Sequence, residues 1–356
     1  MTLTKEMVKL KPTTIELMDK NLLDLAKEIP IYADGIKKYV IGDPKAVLMV
    51  EFIDNDLNLI NKKIKELESL IKSQNKNNNF SYYKETKDQK EIFEIRKAGL
   101  NILMSMKGDK KPVAFIEDCA VTLNHLAEYT AKLKEIFKKY DTSGMFYAHA
   151  SVGTLHVRPV LNMKSDKDIS NMKKIAEEAF EMVKQYKGSH SGEHGDGIVR
   201  SEFHEKMFGK KIINAFEDVK DTFDCKNLLN PNKIIRPYKS NDRSLMRYKA
   251  DYKIEKISTH YDWSEWGQFS DAVEMCNNNG ACRKLDSGVM CPSYRVTKEE
   301  KDLVRGRANT LRLALSNQLP KGSFVSKEMY ESMELCVSCK ACQRECPMSV
   351  DIAKMK

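Results

Sequence analysis

The sequence predicts an α+β domain, an antiparallel sheet with covering helices, followed by a smaller α-helical domain. Two observations predict this order. Over the first part of the chain, helical and strand-like apolar patterns alternate, and some strand-like segments are placed to form hairpins. Seven of the nine cysteines then fall between Cys276 and Cys346, near segments of helical spacing. We therefore expect domains at residues 1–240 and 266–356, joined by a linker at 241–265.

The predicted elements of the first domain begin with a helix. Thr13 and Glu16 have the spacing of a capping box, which predicts a helix over the leucines that follow. A strand is expected at 46–53, and a helix is expected from Leu57 to Ile71. In the second domain, residues 302–315 are predicted to be one helix. A second round in the first domain is expected near 112–116 (strand), 122–139 (helix), 144–150 and 154–161 (strands) and 167–186 (helix).

Composition excludes several classes of protein. The 60 Lys and Arg against 51 Asp and Glu give a formal net charge of +9, with basic residues interleaved with acids. No arginine stripe alternates with aromatics, so we expect no nucleic-acid partner. Apolar runs such as 46–53 are too short to span a bilayer, and residues 1–12 lack a signal-peptide core. We therefore expect no transmembrane segment and a cytoplasmic location, with peripheral attachment at the inner membrane as the alternative.

The last cysteines have the spacing of an iron–sulfur site. They read C-x2-C-x2-C-x3-C and are followed directly by Pro347. Three thiolates, each separated from the next by two intervening residues, can wrap one face of a cuboidal cluster, and the fourth cysteine often ligates a different cluster. A structural zinc site usually has two separated pairs instead. The pattern therefore predicts a 4Fe–4S cluster, with ligands drawn from Cys336, Cys339, Cys342 and Cys346.

Three cysteines further upstream form an incomplete partner motif. Cys276 and Cys282 lie in CNNNGACR, and Cys291 precedes a proline. By the crossing rule of two-cluster ferredoxins, Cys291 would complete the cluster above and Cys346 would join Cys276 and Cys282. That set is one thiolate short, so either a second cluster has a non-cysteine ligand or there is only one cluster.

A second constellation combines histidines with a carboxylate. If the chain reverses at Val152-Gly153, a two-residue loop places His149 directly opposite His156, close enough for both to hold one metal. The glycine-rich SGEHGDG offers Glu193 as a third ligand, while His194 would face a substrate. Two histidines and a carboxylate are typical of a catalytic zinc site. A histidine pair on strands is, however, more often structural.

The motifs that carry these residues occur together in one known family. They are EIRKAG (94–99), EDCAV (117–121), HASVGTLHVRP (149–159), GEHGDG (192–197) and FDCKNLLNPNKI (223–234). The chain resembles the ferredoxin-like C-terminal domain of FAD-linked oxidases related to vanillyl-alcohol oxidase. Its fusion to CNNNGACR, MCPSY, RGRANTLR and CVSCKACQRECP resembles the large bacterial FAD- and iron–sulfur-containing D-2-hydroxyglutarate dehydrogenases.

The resemblance implies roles for individual residues. It implies zinc (Zn2+) at His149, His156 and Glu193, and a catalytic base at His194. Arg96 would clamp a substrate carboxylate by forked hydrogen bonds, assisted by Arg158 and with Thr154 nearby, although such arginines are usually surface ion-pair partners. Asn230 and Lys233 would lie near the FAD. This chain departs from the family in having Asn232 in place of glycine, and Ala148 and Thr154 in place of glycine and asparagine.

The resemblance also implies an activity and partners. The activity is oxidation of a D-2-hydroxy acid to the 2-oxo acid, with D-2-hydroxyglutarate favoured and D-lactate or glycolate next. Electrons would pass from FAD through one or two clusters to a quinone, an electron-transfer flavoprotein or a similar acceptor. A flavin-binding domain or subunit is required, and no such sequence precedes Met1, so we expect a fragment, a split-gene subunit or an interrupted reading frame. Association as a homo-oligomer is also expected.

Two other functions remain open from the sequence. The first is a non-catalytic iron–sulfur subunit that transfers electrons in a split flavoprotein complex. The second is a zinc hydrolase that uses the two histidines and the glutamate, although it gives the cysteines no purpose.

Overall fold

The computed structural model of this chain describes residues 1–74, 79–286 and 288–356. They form two compact units. The first unit consists of residues 1–21, 40–83 and 112–247, and the second of residues 22–39, 84–111 and 248–356. Within the described residues, no helix combines the length and the apolar character needed to cross a membrane.

Strands and helices alternate through the first two thirds of the chain, and helices dominate the rest. The strands are β1 (Thr14–Asp19), β2 (Ala46–Glu51), β3 (Lys110–Pro112), β4 (Cys119–Ala120), β5 (Gly144–His149) and β6 (Thr154–Asn162). The helices are α1 (Thr4–Val8), α2 (Lys20–Glu28), α3 (Pro30–Tyr39), α4 (Leu57–Gln74), α5 (Thr86–Lys97), α6 (Gly99–Met104), α7 (Leu123–Lys139), α8 (Asp166–Gln185), α9 (His204–Phe208), α10 (Lys210–Phe223), α11 (Phe269–Glu274), α12 (Pro292–Thr297), α13 (Val304–Leu315), α14 (Lys327–Glu334), α15 (Ala341–Glu345) and α16 (Ile352–Met355).

The sheet of the first unit is antiparallel and carries the site on one face. Its strands lie in the order β2, β1, β5, β6, and β4 also pairs with β6. Side chains alternate between the two faces of each strand. In β6, Leu155 and Val157 therefore enter the hydrophobic core, whereas His156 and Arg158 take the opposite face. The predicted α+β fold with an antiparallel sheet is confirmed.

Helices α7 and α8 pack against each other and bury the core face of the sheet. Helix α8 begins at the N-cap Ser165, whose hydroxyl accepts a hydrogen bond from the amide of Asp168. Its buried residues recur at helical spacing, as in Met172, Ile175 and Ala179. Tyr129, Leu133 and Phe137 of α7 belong to the same core. These two helices agree with the sequence prediction to within one residue at each end.

The predicted beginning of the helix after Thr13 is wrong. Residues Thr14–Asp19 form β1, and the helix begins only at Lys20. Strand β1 pairs with β2 on one side and β5 on the other, and Ile15 and Leu17 are buried in the core. These non-local contacts outweigh the local capping signal, because propensity is weak compared with tertiary packing.

The hairpin between β5 and β6 also differs from the prediction. His149 pairs with Thr154, and Tyr147 pairs with His156, so the two histidines are diagonal neighbours rather than opposed. A short 3-10 turn at Ala150–Val152 and Gly153, with φ of +75°, make a four-residue connection. Diagonal neighbours still share a face of the sheet, and His149 and His156 have ring centroids 5.0 Å apart.

The second unit contains the cysteine-bearing helices. Here α13 packs against α11 and α14. Helix α3 contacts α15, and Met104 packs against the cluster of buried residues that includes the cysteines. The second unit therefore includes segments outside the predicted domain at 266–356. The predicted linker at 241–265 is divided between the two units after Arg247.

Candidate functional site

Two of the three predicted metal ligands converge on a carboxylate oxygen of the third. The Nε2 atoms of His149 and His156 lie 3.2 Å and 3.0 Å from Oε1 of Glu193. Strand alternation turns both histidines to the same face, and a separate loop brings the glutamate to them. His156 is almost fully buried, whereas Glu193 is partly exposed, so the cluster is reachable from one side.

The loop that carries Glu193 is fixed by one buried aspartate, Asp118. Its carboxylate accepts hydrogen bonds from the amides of Glu193 (3.0 Å) and His194 (2.8 Å). Its backbone carbonyl accepts from the amide of Gly192 at 2.7 Å. Asp118 precedes β4, which pairs with β6, so the loop and the histidine strand share one support. This connection sets the position of Glu193 relative to His156.

Acidic residues orient His149 and His194. Nδ1–H of His149 donates to Glu16 (2.9 Å), the only acid of β1 on the site face, and this leaves Nε2 directed at Glu193. Nδ1–H of His194 donates to Oε1 of Glu117 at 3.0 Å. A carboxylate behind an imidazole fixes its tautomer and ring orientation.

Glu117 is itself held by two arginines. Nη2 of Arg158 donates to its Oε2 at 2.6 Å, and Nη2 of Arg200 donates to its backbone carbonyl at 2.8 Å. Both arginines are buried, with Arg158 only 6% exposed. Hence Arg158, predicted to help hold a substrate carboxylate, has a guanidinium committed to Glu117. Its contact with a substrate stays a prediction.

Imidazole and carboxylate are donor types that zinc takes in proteins. In tetrahedral zinc sites with bonds near 2.0–2.1 Å, ligand atoms lie roughly 3.4 Å from one another. Both nitrogen-to-oxygen distances here are close to that value. Two imidazoles and one carboxylate leave a fourth position open, as in catalytic zinc sites. The side chains here whose ligand atoms all lie within 4.8 Å of one another are Asp118, His156, Glu193 and His194, so His149 stands outside the tightest group.

The other predicted substrate and flavin residues are Thr154, within the histidine hairpin, and three residues further away in the chain. Thr154 is buried and pairs with His149 across the hairpin. Arg96 lies on α5 in the second compact unit and is 8% exposed. Asn230 and Lys233 are exposed in the segment after α10. Asn232, which replaces a family glycine, has φ of +62°, a conformation that asparagine tolerates better than most residues. The roles of these residues stay predictions.

Four cysteines line one cavity of the second unit, together with Val304 and Arg307. They are Cys291, Cys336, Cys339 and Cys342, the set that the crossing rule assigns to one cluster. Cys276, Cys282 and Cys346 are buried in the same group of packed residues. Burial raises the pKa of Cys346 to about 12, and the neighbouring Cys276 and Cys282 add to the shift. The thiolate form would therefore require a metal that displaces the proton.

Sequence reasoning missed the roles of Glu16, Glu117 and Asp118. A signal for each was present. Glu16 interrupts the apolar sequence T-I-E-L-M, which is unusual for a buried strand unless the acid has a partner. Glu117 and Asp118 stand directly before the buried Cys119, within a motif noted only for its resemblance. Their partners are remote in sequence, so their function could not be assigned.

Both parts of the chain match known protein families. Residues 1–234 match the family described as FAD linked oxidases, C-terminal domain, and residues 272–350 match the 4Fe-4S dicluster domain. The D-2-hydroxyglutarate dehydrogenases of Haemophilus influenzae and Escherichia coli are each 28% identical to this chain over 98% of its length. The chain spans 38% of the length of each. The glycolate oxidase subunit GlcD of Bacillus subtilis is 28% identical over 64% of this chain and 46% of its own length. The predicted resemblance is confirmed, and the chain belongs to the FAD linked oxidase C-terminal domain family.

Proposed function

We propose that this chain carries the substrate site and the iron–sulfur relay of a flavin-dependent dehydrogenase. The reaction oxidises a D-2-hydroxy acid to the 2-oxo acid, with D-2-hydroxyglutarate favoured over D-lactate and glycolate. The observation that carries the proposal is the convergence of His149, His156 and Glu193 beside His194. The similarity to D-2-hydroxyglutarate dehydrogenases over 98% of the chain supports the choice of acid.

The chain's own groups suit proton removal from a hydroxyl. When bound, zinc at His149, His156 and Glu193 would supply a Lewis acid for that hydroxyl, and FAD a two-electron acceptor. His194 would accept the hydroxyl proton at Nε2, because its Nδ1–H is already donated to Glu117. Glu117, held by Arg158, would stabilise the imidazolium that forms.

The remaining contacts are proposed from the family motifs. Arg96 would clamp a substrate carboxylate, and Thr154 would line the substrate site. Arg158 would act on the substrate chiefly through Glu117. Asn230 and Lys233 would contact the FAD held by a separate flavin-binding domain or subunit. The clusters would pass electrons singly to a quinone, an electron-transfer flavoprotein or a similar carrier.

The proposal is tested on the full chain, tagged at its C-terminus and purified anaerobically from its native host. Flavin, iron and zinc contents are measured, and flavin bleaching is followed after addition of D-2-hydroxyglutarate, D-lactate or glycolate. Bleaching by one of these acids supports the dehydrogenase. Iron and zinc without flavin, and no response to any acid, would instead favour an electron-transfer subunit. Ester hydrolysis would favour the hydrolase.

Zinc content gives the first specific prediction. His156→Ala removes the most buried of the three ligands, so we expect the loss of about one zinc per chain with iron content unchanged. His125→Ala is the matched control, because this exposed histidine on α7 contacts the ring of Tyr186 and belongs to neither metal-ligating group. Equal zinc in both variants would remove His156 from the metal site.

Iron content tests the cysteine assignment. Cys339→Ser removes an exposed ligand from the four-cysteine cavity, so we expect a loss of about four irons per chain. If about half of the iron remains in this variant, the chain holds a second cluster. If almost no iron remains, it holds a single cluster. Cys225→Ser, at an exposed cysteine outside the cavity, is the control. Unchanged iron in Cys339→Ser would contradict the assignment.

A further inference from the structure

A second group of metal-ligating side chains lies in the first unit, built from residues other than the three zinc ligands proposed above. His190, Asp196 and His204 each offer one ligand atom, and these atoms all lie within 4.8 Å of one another. Nε2 of His204 is 3.0 Å from Oδ2 of Asp196, and Nε2 of His190 is 3.7 Å from Oδ1. One carboxylate thus faces two imidazoles, each through a different oxygen.

His204 is already oriented as a ligand. Its Nδ1–H donates to the backbone carbonyl of Ile234 at 3.0 Å, which leaves the Nε2 lone pair directed at Asp196. A backbone carbonyl behind the non-ligating nitrogen is the usual support for a metal-bound histidine. The histidine opens α9, and its ring is almost fully buried.

His190 is a buried imidazole whose hydrogen-bonding capacity is not used by the part of the chain that the structure describes. It is 1% exposed, and among the described residues neither ring nitrogen has a hydrogen-bond partner. Its ring contacts the edges of Phe180 and Phe208, which offer no polar atom. Leaving a buried polar group unsatisfied costs free energy, so a ligand that used one of these nitrogens would remove that cost.

We propose that His190, Asp196 and His204 bind a second divalent transition metal, with zinc the preferred ion. Two imidazole nitrogens and one carboxylate oxygen suit zinc, whereas magnesium and calcium prefer oxygen ligands alone. Asp196 is partly exposed, so water can reach a fourth position. The ring of Phe180, which is 2% exposed, packs against His190 on another side.

The site would act as a structural clamp on the loop that carries Glu193 and His194. Asp196 follows His194 by two residues, and Gly195 between them has φ of +72°, which turns the carboxylate towards α9. A metal shared by His190, Asp196 and His204 would tie both ends of this loop to the first turn of α9. Asp118 holds the same loop from β4, so the loop would be fixed on two sides.

The test separates this site from the first one. In a His149→Ala/His156→Ala background, which lacks two ligands of the first site, we expect about one zinc per chain to remain. Adding His190→Leu and His204→Leu should remove it. Leucine fits these apolar surroundings, and retained iron content and circular dichroism verify folding. His125→Leu, at an exposed histidine, is the matched control and should keep the zinc.

Zinc-edge X-ray absorption of the background chain identifies the ligands. Nitrogen and oxygen scattering that disappears in the leucine variant supports the site. Sulfur scattering, or zinc content that the leucine substitutions leave unchanged, would overturn it. Asp196→Asn, which keeps the shape, should weaken zinc binding at least about tenfold in a chelator competition, and equal affinity would also overturn the proposal. Failure of the first site would appear separately, as equal zinc in the wild-type and background chains.

Discussion

Replacing Gly153 with alanine should destabilise the first unit and lower its zinc content together. Gly153 has φ of +75°, and an added Cβ would lie 2.0 Å from the backbone carbonyl oxygen of Val121. The left-handed conformation costs a non-glycine residue about 1–2 kcal/mol. The clash is with the backbone of Val121, which directly follows β4, so it cannot be relieved by moving a side chain. We expect a total loss on the order of 4 kcal/mol in the free energy of unfolding.

Scanning calorimetry with zinc analysis measures this effect. For a unit of this size, such a loss lowers the melting temperature by about 10 °C. Zinc should fall because Gly153 closes the hairpin that carries His149 and His156. Gly42→Ala is the matched control, because its φ is +72° but nothing lies within 4 Å of the added Cβ. It should cost only about 1 kcal/mol and leave zinc unchanged. Equal melting of the two variants would show that the turn can relax.

The hairpin also shows where the sequence could and could not predict the site. Local patterns found β5 and β6, because alternating apolar residues record burial on one face. They could not give the register, because that depends on a 3-10 turn and a close approach between Gly153 and Val121. His149 and His156 were nevertheless placed on one face, since the predicted and observed registers differ by an even number of residues.

Strand β1 illustrates the opposite outcome. A threonine and a glutamate three residues apart satisfy the capping-box spacing wherever they occur, so the spacing predicted a helix where the chain forms an interior strand between β2 and β5. Glu16 can be buried because its carboxylate accepts a hydrogen bond from His149, and that partner lies 133 positions away in the sequence. The same holds for Glu117 and His194, which are 77 positions apart. Motif spacing identifies ligand types, whereas the groups that orient them are fixed by tertiary contacts.

His194→Ala should slow substrate oxidation by about 10² to 10⁴-fold in the flavin-containing assembly, which is the range of a general base. The expected cause is loss of the proton acceptor, since Nε2 is the ring nitrogen not used by Glu117. Zinc and iron contents should stay unchanged, because His149, His156, Glu193 and the cysteines remain in place. The measurement is the rate of flavin bleaching by the acid identified as substrate.

Rescue by added imidazole distinguishes a base from a merely structural residue. The His194 side chain is 41% exposed, so its removal leaves a space that a small base can enter from solvent. Imidazole should therefore restore part of the rate in His194→Ala while having no effect on His125→Ala, which should be as fast as wild type. A slow variant that has lost zinc would assign His194 to the metal instead. A variant that keeps both its zinc and its full rate would remove His194 from the reaction, and the proton would then need another acceptor at this site.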